Sequence, residues 1–335
     1  MPIDVHAHYV PPSILDSIHD RGAALGVTVL GNPPACEQCL RFAYGLQVRP
    51  FFPRLVEEPA ARLENMRKQG IDRQVLSIWT DIFGYALPPD QGKAWHRLLN
   101  QSLGQWCARH PENFSWLASG ALPDAASAAR ELETSVRQEG AVGGVVAANV
   151  EGENLGELDL DEYWAAAVEL GVPVFIHPAQ PDATPRTRKF ALNPIAQYTF
   201  DTTLAAGSLI ASGVLDRFPA LNLILSHGGG TLPFLSGRFD CLLSRMDRKT
   251  TGNAARELPS AYLRRMHYDT ILHNSKALRF VADTVGIDRM VIGTDDSFAP
   301  ADHDPLGSLR AAGFGAQDIE LIGTQNPKRL FHLMK

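Results

Sequence analysis

The feature that most constrains the fold is an alternation of short apolar segments with longer amphipathic ones along almost the whole chain. The apolar segments read as strands over residues 3–8, 71–79, 114–122, 142–150, 172–177, 221–226, 266–271 and 289–293. Helical patterns follow them over 59–69, 92–110, 124–138, 160–170, 196–213, 231–246, 274–285, 306–312 and 316–334. Apolar strands separated by amphipathic helices are typical of a parallel sheet covered by helices. Eight such units predict an α/β fold, the (β/α)8 or TIM barrel.

The alternative α/β architecture, an open doubly wound sheet, fits less well because no glycine-rich fingerprint follows the first strand. The 335 residues are predicted to form a single barrel domain, 1–335. Residues 10–58, after strand 1, are rich in proline and glycine and lack clear periodicity. A connection of this length inside a compact domain is usually functional, so we interpret it as an insertion or lid.

Charge and composition narrow the class of partner. The net charge is −6, and the 31 basic residues are spread along the chain, which argues against nucleic acid or an anionic membrane surface. No apolar run is long enough to span a bilayer, and the amino terminus reads as a strand rather than a leader. We therefore expect a cytoplasmic protein with a small-molecule partner.

The four cysteines do not suggest a disulfide framework. Cys36 and Cys39 form a C-x-x-C motif without a second pair, so a redox or structural-zinc role is a weak alternative. Cys107 and Cys241 lie in helical patterns and read as small core residues.

Metal-ligand chemistry appears at the carboxyl ends of the predicted strands, where the active sites of such barrels lie. His6 and His8 are two residues apart, so both imidazoles face the same side of strand 1. Strand 5 ends at His177, and Asp295 follows strand 8. Three imidazoles and one carboxylate suit Zn²⁺, or Mn²⁺, Fe²⁺ or Co²⁺.

Each of these residues also has an ordinary reading. His177 alone reads as a buried histidine with satisfied hydrogen bonds, and Asp295 alone as a helix N-cap. Their coincidence at matching strand ends favours the metal site. Strand 4 ends near Asn149 and offers neither an acid nor a lysine to bridge a second ion, so we expect one divalent metal per subunit.

A general acid/base is predicted at His227, which ends strand 6 and precedes three glycines. Histidine has the one side chain whose ordinary pKa lies near neutrality, and the glycines allow backbone to approach a ligand closely. His227 would activate a water at the metal or deliver a proton to a substrate carbon. The alternative is that it is a fifth metal ligand.

Further residues are candidates for the substrate pocket. Arg238, in the helix after strand 6, and Arg49, in the 10–58 segment, could each hold a carboxylate or be solvated charges. The aromatic candidates for apolar walls are Phe83, Tyr85 and Phe298, although aromatic residues at such positions often only pack. Asp269 and Asp296 are additional acids near the same end, without an assigned role.

The combination of motifs resembles the aminocarboxymuconate-semialdehyde decarboxylase branch of the amidohydrolase superfamily. The resemblance rests on the opening His-x-His, the Phe83-Gly-Tyr85 segment, His177-Pro, the Ser-His227-Gly-Gly-Gly run with Arg238 behind it, and Gly-Thr-Asp295. It covers nearly the whole chain. The motifs are specific for the branch as a set, although no single one is.

The resemblance implies a metal-dependent, oxygen-independent carboxy-lyase acting on an aromatic or dienoic acid. It implies that His6, His8, His177 and Asp295 bind zinc or manganese, that Asp295 and His227 serve catalysis, and that Arg238 reaches the neighbouring subunit's site in a homodimer. An arginine of the insertion is also used for substrate in this branch. Arg49 is the nearest match, and Arg54 competes with it.

The segment after the metal-binding aspartate departs from the branch. The decarboxylase has an aromatic residue and a proline there, whereas this chain has Asp296-Ser297-Phe298. The expected substrate is therefore another carboxylated ring or ring-fission product, such as a hydroxybenzoate-type acid. The alternative reaction is hydrolysis of a lactone or hydration of an unsaturated acid at the same site. A binding protein without activity would be expected to have a broken ligand set, and this set is intact.

Overall fold

A computed structural model describes residues 1–31, 38–179 and 183–333 of the chain. Within these residues, eight strands pair side by side in one parallel sheet. These strands, with the small ones between them numbered in chain order, are β1 Ile3–His8, β4 Arg73–Ser77, β5 Phe114–Ala118, β6 Gly143–Ala147, β9 Val174–His177, β10 Leu223–Leu225, β11 Met266–Asp269 and β12 Met290–Val291. Cys36 of the C-x-x-C motif and Met334, the predicted end of the last helix, lie outside the described residues.

The sheet is a barrel that closes between its first and last strands. The strands follow one another in the order β1-β4-β5-β6-β9-β10-β11-β12. Backbone hydrogen bonds then join the first strand to the segment after the last, from Val5 to Ile292 at 2.9 Å and from Asp295 to His6 at 2.8 Å. The predicted (β/α)8 barrel is confirmed.

Helices between the strands cover the barrel. They are α1 Pro12–Leu25, α2 Pro59–Gln69, α3 Pro89–Cys107, α4 Ala125–Glu139, α5 Asp161–Leu170, α6 Tyr198–Ala211, α7 Val214–Arg217, α8 Leu232–Arg245, α9 Arg248–Thr251, α10 Pro259–Tyr262, α11 Ser275–Val285, α12 Pro305–Ala311, α13 Ala316–Glu320 and α14 Asn326–Leu330. None of the described helices combines the length and apolar character needed to cross a bilayer.

Local sequence signals explain where these helices begin and end. Pro59 begins α2, and Gly70 ends it in the left-handed conformation, where a side chain would be strained. Asn274 caps α11 by accepting hydrogen bonds from two backbone N–H groups, and Asp124 caps α4 by accepting one from the Ser127 N–H.

The segment after β1 is more regular than the sequence indicated. It contains α1, a two-stranded antiparallel ribbon of β2 Val27–Leu30 and β3 Cys39–Phe42, and a 3-10 turn at Pro53–Leu55. In α1, buried Ile14, Ile18 and Leu25 have helical spacing, which the surrounding prolines and glycines obscured. A second short ribbon, β7 Asn149–Val150 with β8 Glu153–Asn154, follows β6.

The last predicted helix, 316–334, is interrupted. After α13 the backbone makes one π-helical turn at Leu321–Gln325 before α14 begins. Pro327 lies in the first turn of α14 and has no N–H to continue the hydrogen-bond ladder of the preceding helix, which accounts for the interruption.

Two predicted strands extend further at their carboxyl ends than the strands that the structure shows. In the barrel sheet, the segment 71–79 pairs only over Arg73–Ser77, and the segment 142–150 pairs only over Gly143–Ala147. Ile78 and Trp79 are buried but lie in the loop, so apolar character continues after sheet pairing ends. These loops lie at the carboxyl-terminal face of the barrel.

Candidate metal centre

The ends of adjacent strands lie level with one another, so their last side chains meet. His8 at the end of β1 pairs with Ser77 at the end of β4, and His177 at the end of β9 pairs with Ala147 at the end of β6. This register places the candidate ligands at one depth in the barrel.

The four predicted metal ligands come together there. The candidate ligand atoms of His6, His8, His177 and Asp295 lie within 4.8 Å of one another, and all four residues are buried. His6 Nε2 is 3.1 Å from His8 Nε2 and 3.2 Å from Asp295 Oδ1, and His8 Nε2 is 3.5 Å from the same oxygen. Ligands about 2.0–2.1 Å from a common tetrahedral ion are separated by roughly 3.3 Å. The spacing is that of a divalent-metal site.

Hydrogen bonds at the far side of each imidazole fix its orientation. In every ligand histidine Nδ1 contacts a polar neighbour, so Nε2 is the atom directed at the centre. The nearest partner atoms are Asp269 Oδ2 for His6 at 2.6 Å, Ser77 Oγ for His8 at 3.0 Å, and the Pro178 carbonyl for His177 at 2.7 Å, with Thr80 Oγ1 at 3.0 Å from the same nitrogen.

The electrostatics of these groups fit a cation. Burial lowers the pKa of His8 to about 4, and burial with the neighbouring imidazoles lowers the pKa of His177 well below its ordinary value, so both present a neutral nitrogen lone pair. Burial opposes charge on Asp295, yet His6 and His227 outweigh it and hold the pKa of Asp295 well below its usual range. Buried His177 Nε2 has no hydrogen-bond partner, as expected of an atom reserved for a metal.

His6 lies between the carboxylates of Asp269 and Asp295. Burial lowers its pKa, but Asp295 and Asp269 outweigh burial and raise the pKa to about 10. A positive charge is therefore favoured between the two carboxylates. A proton and a divalent ion compete for this position, since metal binding requires the deprotonated nitrogen.

His227, the predicted general acid/base, lies beside the four ligands. Its Nε2 is 3.7 Å from Asp295 Oδ2, and its ring centroid is 5.3 Å from that of His177. Its backbone is left-handed, with φ of 54°, and the three glycines that follow also have positive φ. This turn is what aims the imidazole into the cavity, because an extended continuation of β10 would carry the side chain past the strand end.

Asp269, which the sequence left without a role, joins the metal ligand to this turn. Its Oδ2 accepts a hydrogen bond from the His227 backbone N–H at 2.9 Å in addition to contacting His6. Its Oδ1 accepts from Gly228 N–H at 2.8 Å. One buried carboxylate thus positions both the metal site and the acid/base loop.

A cavity of about 620 Å³ opens over the site. Two of the ligands, His177 and Asp295, line it. Three further predicted residues, Arg49, His227 and Phe298, also belong to the lining. The Phe298 ring centroid is 5.2 Å from that of His8. Arg238 is exposed on α8 and does not line this cavity within the described chain.

Phe83 and Tyr85 are placed elsewhere. They line a neighbouring cavity of about 610 Å³, together with Asn149, and not the cavity over the metal ligands. Tyr85 stacks on His96 with ring planes 23° apart, and Asn149 donates to Asp201. The 3-10 turn at Thr80–Ile82 lies between β4 and Phe83, and contact of these two aromatic residues with a substrate stays a prediction.

The choice between the two insertion arginines follows from their partners. Arg54 Nη2 lies 2.7 Å from buried Asp296, and Arg62 lies behind the same carboxylate at 3.9 Å. This ion-pair network accounts for Asp296 and holds Arg54 away from the cavity lining. Arg49 is the insertion arginine that reaches the cavity.

Several lining residues were not predicted. They include Phe52, Trp79, Asp81, Tyr198, Thr199 and Thr231, together with the exposed His273. Asp81 carried a usable signal, since it is an acid just after strand 2, at the same barrel end as the ligands. The aromatic residues carried none, because Trp79 reads as strand core and Tyr198 as part of a helix.

Comparisons with known proteins agree with this geometry. The family model described as amidohydrolase matches residues 3–333. The chain is 30% identical over 253 residues to 2-amino-3-carboxymuconate-6-semialdehyde decarboxylase of Dictyostelium discoideum, covering 75% of this chain and 68% of that one. It is 31% identical over 307 residues to gamma-resorcylate decarboxylase of Rhizobium radiobacter, covering 84% and 89%.

Solved structures share the fold. The 5-carboxyvanillate decarboxylase of Sphingomonas paucimobilis superposes with a TM-score of 0.80 at 24% identity, covering 99% of both chains. The enzyme of the same name from Novosphingobium aromaticivorans, solved with manganese and 4-hydroxy-3-methoxy-5-nitrobenzoic acid, gives a TM-score of 0.81 at 20% identity, covering 99% and 96%. The chain belongs to the amidohydrolase family, among relatives that are decarboxylases of aromatic and related carboxylic acids.

Proposed function

We propose that the protein is a metal-dependent, oxygen-independent decarboxylase of a carboxylic acid of the hydroxybenzoate type. One observation carries the proposal. Four ligands converge at one point, and two of them, His177 and Asp295, line with His227 a cavity that also has aromatic side chains in its walls. The decarboxylase relatives favour loss of CO2 over the alternative, addition of water to a lactone or unsaturated acid.

Zn²⁺ is the proposed ion, one per subunit, with Mn²⁺, Fe²⁺ and Co²⁺ as alternatives. Three imidazole nitrogens and one carboxylate oxygen are the donors that a catalytic zinc site uses. His6, His8, His177 and Asp295 would hold it. When bound, the ion would supply positive charge that offsets the negative charge of the substrate.

His227 is the proposed proton donor. In its protonated form it gives a proton to the ring carbon that bears the carboxylate, and that carbon becomes tetrahedral. The bond between this carbon and the carboxylate then breaks, its electron pair returns to the ring, and CO2 leaves. His227 is left neutral and takes up a proton from solvent. The Asp295 Oδ2 atom lies 3.7 Å from His227 Nε2.

The cavity walls would orient the ring. The aromatic rings of Phe298, Phe52 and Trp79 pack against one another, with centroids 5.2 Å apart for Phe52–Phe298 and 6.2 Å apart for Trp79–Phe298. Such surfaces favour a flat apolar ligand. Arg49 adds hydrogen-bond donors at the same wall. Because Arg49 and Phe52 come from the 10–58 segment, we propose that this segment is the lid of a single barrel domain.

We propose a homodimer in which Arg238 completes the site of the second copy. Arg238 lies between Phe234 and Leu242 at intervals of four residues, so the three share one face of α8. Phe234 is 77% exposed, and Phe200 and Leu204 on the neighbouring α6 are 52% and 56% exposed. Exposed apolar groups of this extent often mark an interface. The same two helices border the cavity through Tyr198 and Thr231.

A cytoplasmic location is also proposed. The three described cysteines, Cys39, Cys107 and Cys241, are free thiols, as expected in a reducing compartment.

Product identification tests the proposed reaction. Metal-loaded protein is incubated with 2-hydroxybenzoate and 2,6-dihydroxybenzoate in ¹⁸O-water, and both CO2 and the organic product are measured. A carboxymuconate semialdehyde is assayed for CO2 release alone, because its aldehyde oxygen exchanges with water. The expected result is CO2 with a product that lacks the carboxylate and carries no solvent oxygen. Solvent oxygen in the product without CO2 would establish the hydrolase or hydratase alternative.

The role of His227 is tested in the same assay. His227→Asn is expected to keep the metal, since the other four residues supply the ligands, while CO2 release falls about 10²- to 10⁴-fold. Unchanged release would overturn the assigned role. Loss of metal together with activity would instead identify His227 as a fifth ligand.

A further inference from the structure

Arg49 is already paired with an acid inside the cavity. Its Nη2 lies 2.7 Å from Asp81 Oδ2 and donates to the Tyr198 hydroxyl at 3.0 Å. The Asp81 side chain is 1% exposed, whereas that of Arg49 is 39% exposed. The carboxylate is thus behind the guanidinium, and the guanidinium faces the open space.

The position of Arg49 is fixed by more than this ion pair. Its guanidinium carbon lies 5.2 Å from the centroid of the Phe52 ring and 5.5 Å from that of Trp79, which are cation–π distances. Burial lowers the pKa of Arg49, but Asp81 and Tyr198 outweigh it and raise the pKa, so the pair is an ionised one. Contacts on several sides keep the guanidinium and the Asp81 carboxylate together.

Charge at this wall of the cavity is therefore balanced. Among the described residues that line the cavity, Arg49 is the only arginine or lysine. A second substrate carboxylate placed against Arg49 would also lie near the negative charge of Asp81, and like charges in a poorly solvated site repel strongly. A hydroxyl or carbonyl oxygen meets no such repulsion and accepts a hydrogen bond from the remaining donors on Nε and Nη1.

We infer that Asp81 makes this cavity selective for ring acids with a single carboxylate, and that Arg49 receives a neutral oxygen of the substrate. This inference rests on the proposed function and refines it. The single carboxylate is the one lost, held at the metal site with Arg238 of a second copy. Asp81 is then a positioning residue that sets specificity through Arg49.

Matched substrates test the inference. Hydroxybenzoates are compared with the same rings carrying a second carboxylate at each remaining position, and kcat/KM for CO2 release is measured with metal-loaded protein. The wild type is expected to prefer the monocarboxylates by about tenfold or more. Asp81→Asn leaves the positive charge of Arg49 unbalanced, so the preference should shift towards a dicarboxylate by about tenfold, a difference of about 1.4 kcal/mol.

Asp283→Asn is the matched control, because it breaks an exposed ion pair with Arg279 on α11 and should keep the wild-type preference. A wild type that prefers dicarboxylates would overturn the inference, as would an Asp81→Asn variant with an unshifted ratio. Metal content and thermal unfolding of each variant are measured beside the kinetics.

A binding measurement on the wild type keeps the test independent of the variant's folding and of turnover. Calorimetry on the metal-loaded protein compares 3-hydroxybenzoate with 5-hydroxyisophthalate, the same ring with a second carboxylate. Neither ligand has a hydroxyl ortho or para to a carboxylate, so neither is expected to lose CO2. Weaker binding of 5-hydroxyisophthalate is expected, and equal or tighter binding of this dicarboxylate would overturn the inference. Absence of CO2 release from all acids, with the binding preference intact, would contradict the proposed function and leave the selectivity standing.

Discussion

Asp269 connects the metal ligand His6 with the turn that carries His227. Its carboxylate contacts His6 Nδ1 at 2.6 Å and accepts hydrogen bonds from the backbone of His227 and Gly228. A carboxylate behind a metal-binding histidine fixes the ring orientation and raises the basicity of the ligand nitrogen. Here the same oxygen also holds the turn that carries the proton donor, so metal affinity and proton transfer are linked.

Asp269→Asn tests this link. The amide keeps the size of the side chain but removes the negative charge that faces His6. Metal affinity is expected to fall about 10- to 100-fold, with a loss of kcat that remains when metal is saturating. Competition with a chromophoric chelator measures the affinity, and Asp283→Asn again serves as the surface control. Wild-type affinity in Asp269→Asn would show that His6 is oriented by other contacts.

At the scale of single elements, glycine conformation decides where His227 points. Gly230 follows the short turn at His227–Gly229 with φ of 62° and ψ of −123°, a region that side chains do not tolerate. A Cβ at Gly230 would lie 2.0 Å from the Thr199 carbonyl oxygen of α6. The turn and α6 therefore approach as closely as they do only because this residue is glycine.

Gly230→Ala is expected to destabilise the protein by more than about 3 kcal/mol and to lower activity by displacing His227. Gly252→Ala is the matched control. Gly252 also has positive φ, but a Cβ there meets nothing within 4 Å, so its cost should be about 1 kcal/mol without loss of activity. Urea unfolding gives both values. Equal costs at the two positions would contradict the close-approach argument.

The packing of α3 against β5 gives the protein an acid-sensitive element. His96 of α3 is buried, with Nδ1 2.8 Å from Ser119 Oγ, and burial lowers its pKa to about 3. Near neutral pH the ring is uncharged in both folded and unfolded chains and contributes no pH dependence. As the pH falls below about 6.5, only the unfolded chain binds the proton, so stability decreases until the pH reaches about 3.

For this one group the loss between pH 7.5 and pH 5 is about 2 kcal/mol. His96→Gln keeps a hydrogen-bonding side chain but cannot titrate, so its stability should fall less steeply over that interval. Urea unfolding at several pH values measures the slope, and His19→Gln at an exposed position controls for the substitution itself. A slope in His96→Gln equal to that of the wild type would contradict the assignment.

The sequence predicted the elements better than their ends. Eight strands and the helices between them follow from periodicity. Apolar residues such as Ile78 and Trp79 continue beyond the paired strand because both are buried, and Trp79 also lines the cavity. The four ligands were predictable because a polar side chain ends an apolar strand. The cavity walls were not, since Trp79 and Tyr198 look like ordinary packing residues until the fold brings them together.

At the scale of the whole molecule, the exposed apolar face of α6 and α8 is the surface that the proposed homodimer would bury. Arg238 lies on this face and is exposed, and within the described chain it does not line the cavity over the metal ligands. A two-fold interface across these helices would bring each Arg238 towards the other copy.

Mixing two inactive variants tests the shared site. Arg238→Ala keeps His227, and His227→Asn keeps Arg238. After subunit exchange at equal concentrations, half of the dimers are mixed, and each has one complete site, so about a quarter of wild-type activity should return. The separate variants, incubated alone, are the control. No recovery despite exchange shown by mass spectrometry would contradict a contribution across the interface.

Metal titration tests the central claim, that one ion on four ligands enables loss of CO2, most directly. Metal is removed with a chelator, Zn²⁺ is returned in steps, and CO2 release from 2,6-dihydroxybenzoate is recorded against bound metal. CO2 release should be absent without metal, rise in proportion to occupancy and stop increasing at about one ion per chain. Release by the metal-free protein, or activity that keeps rising to two ions per chain, would contradict the account.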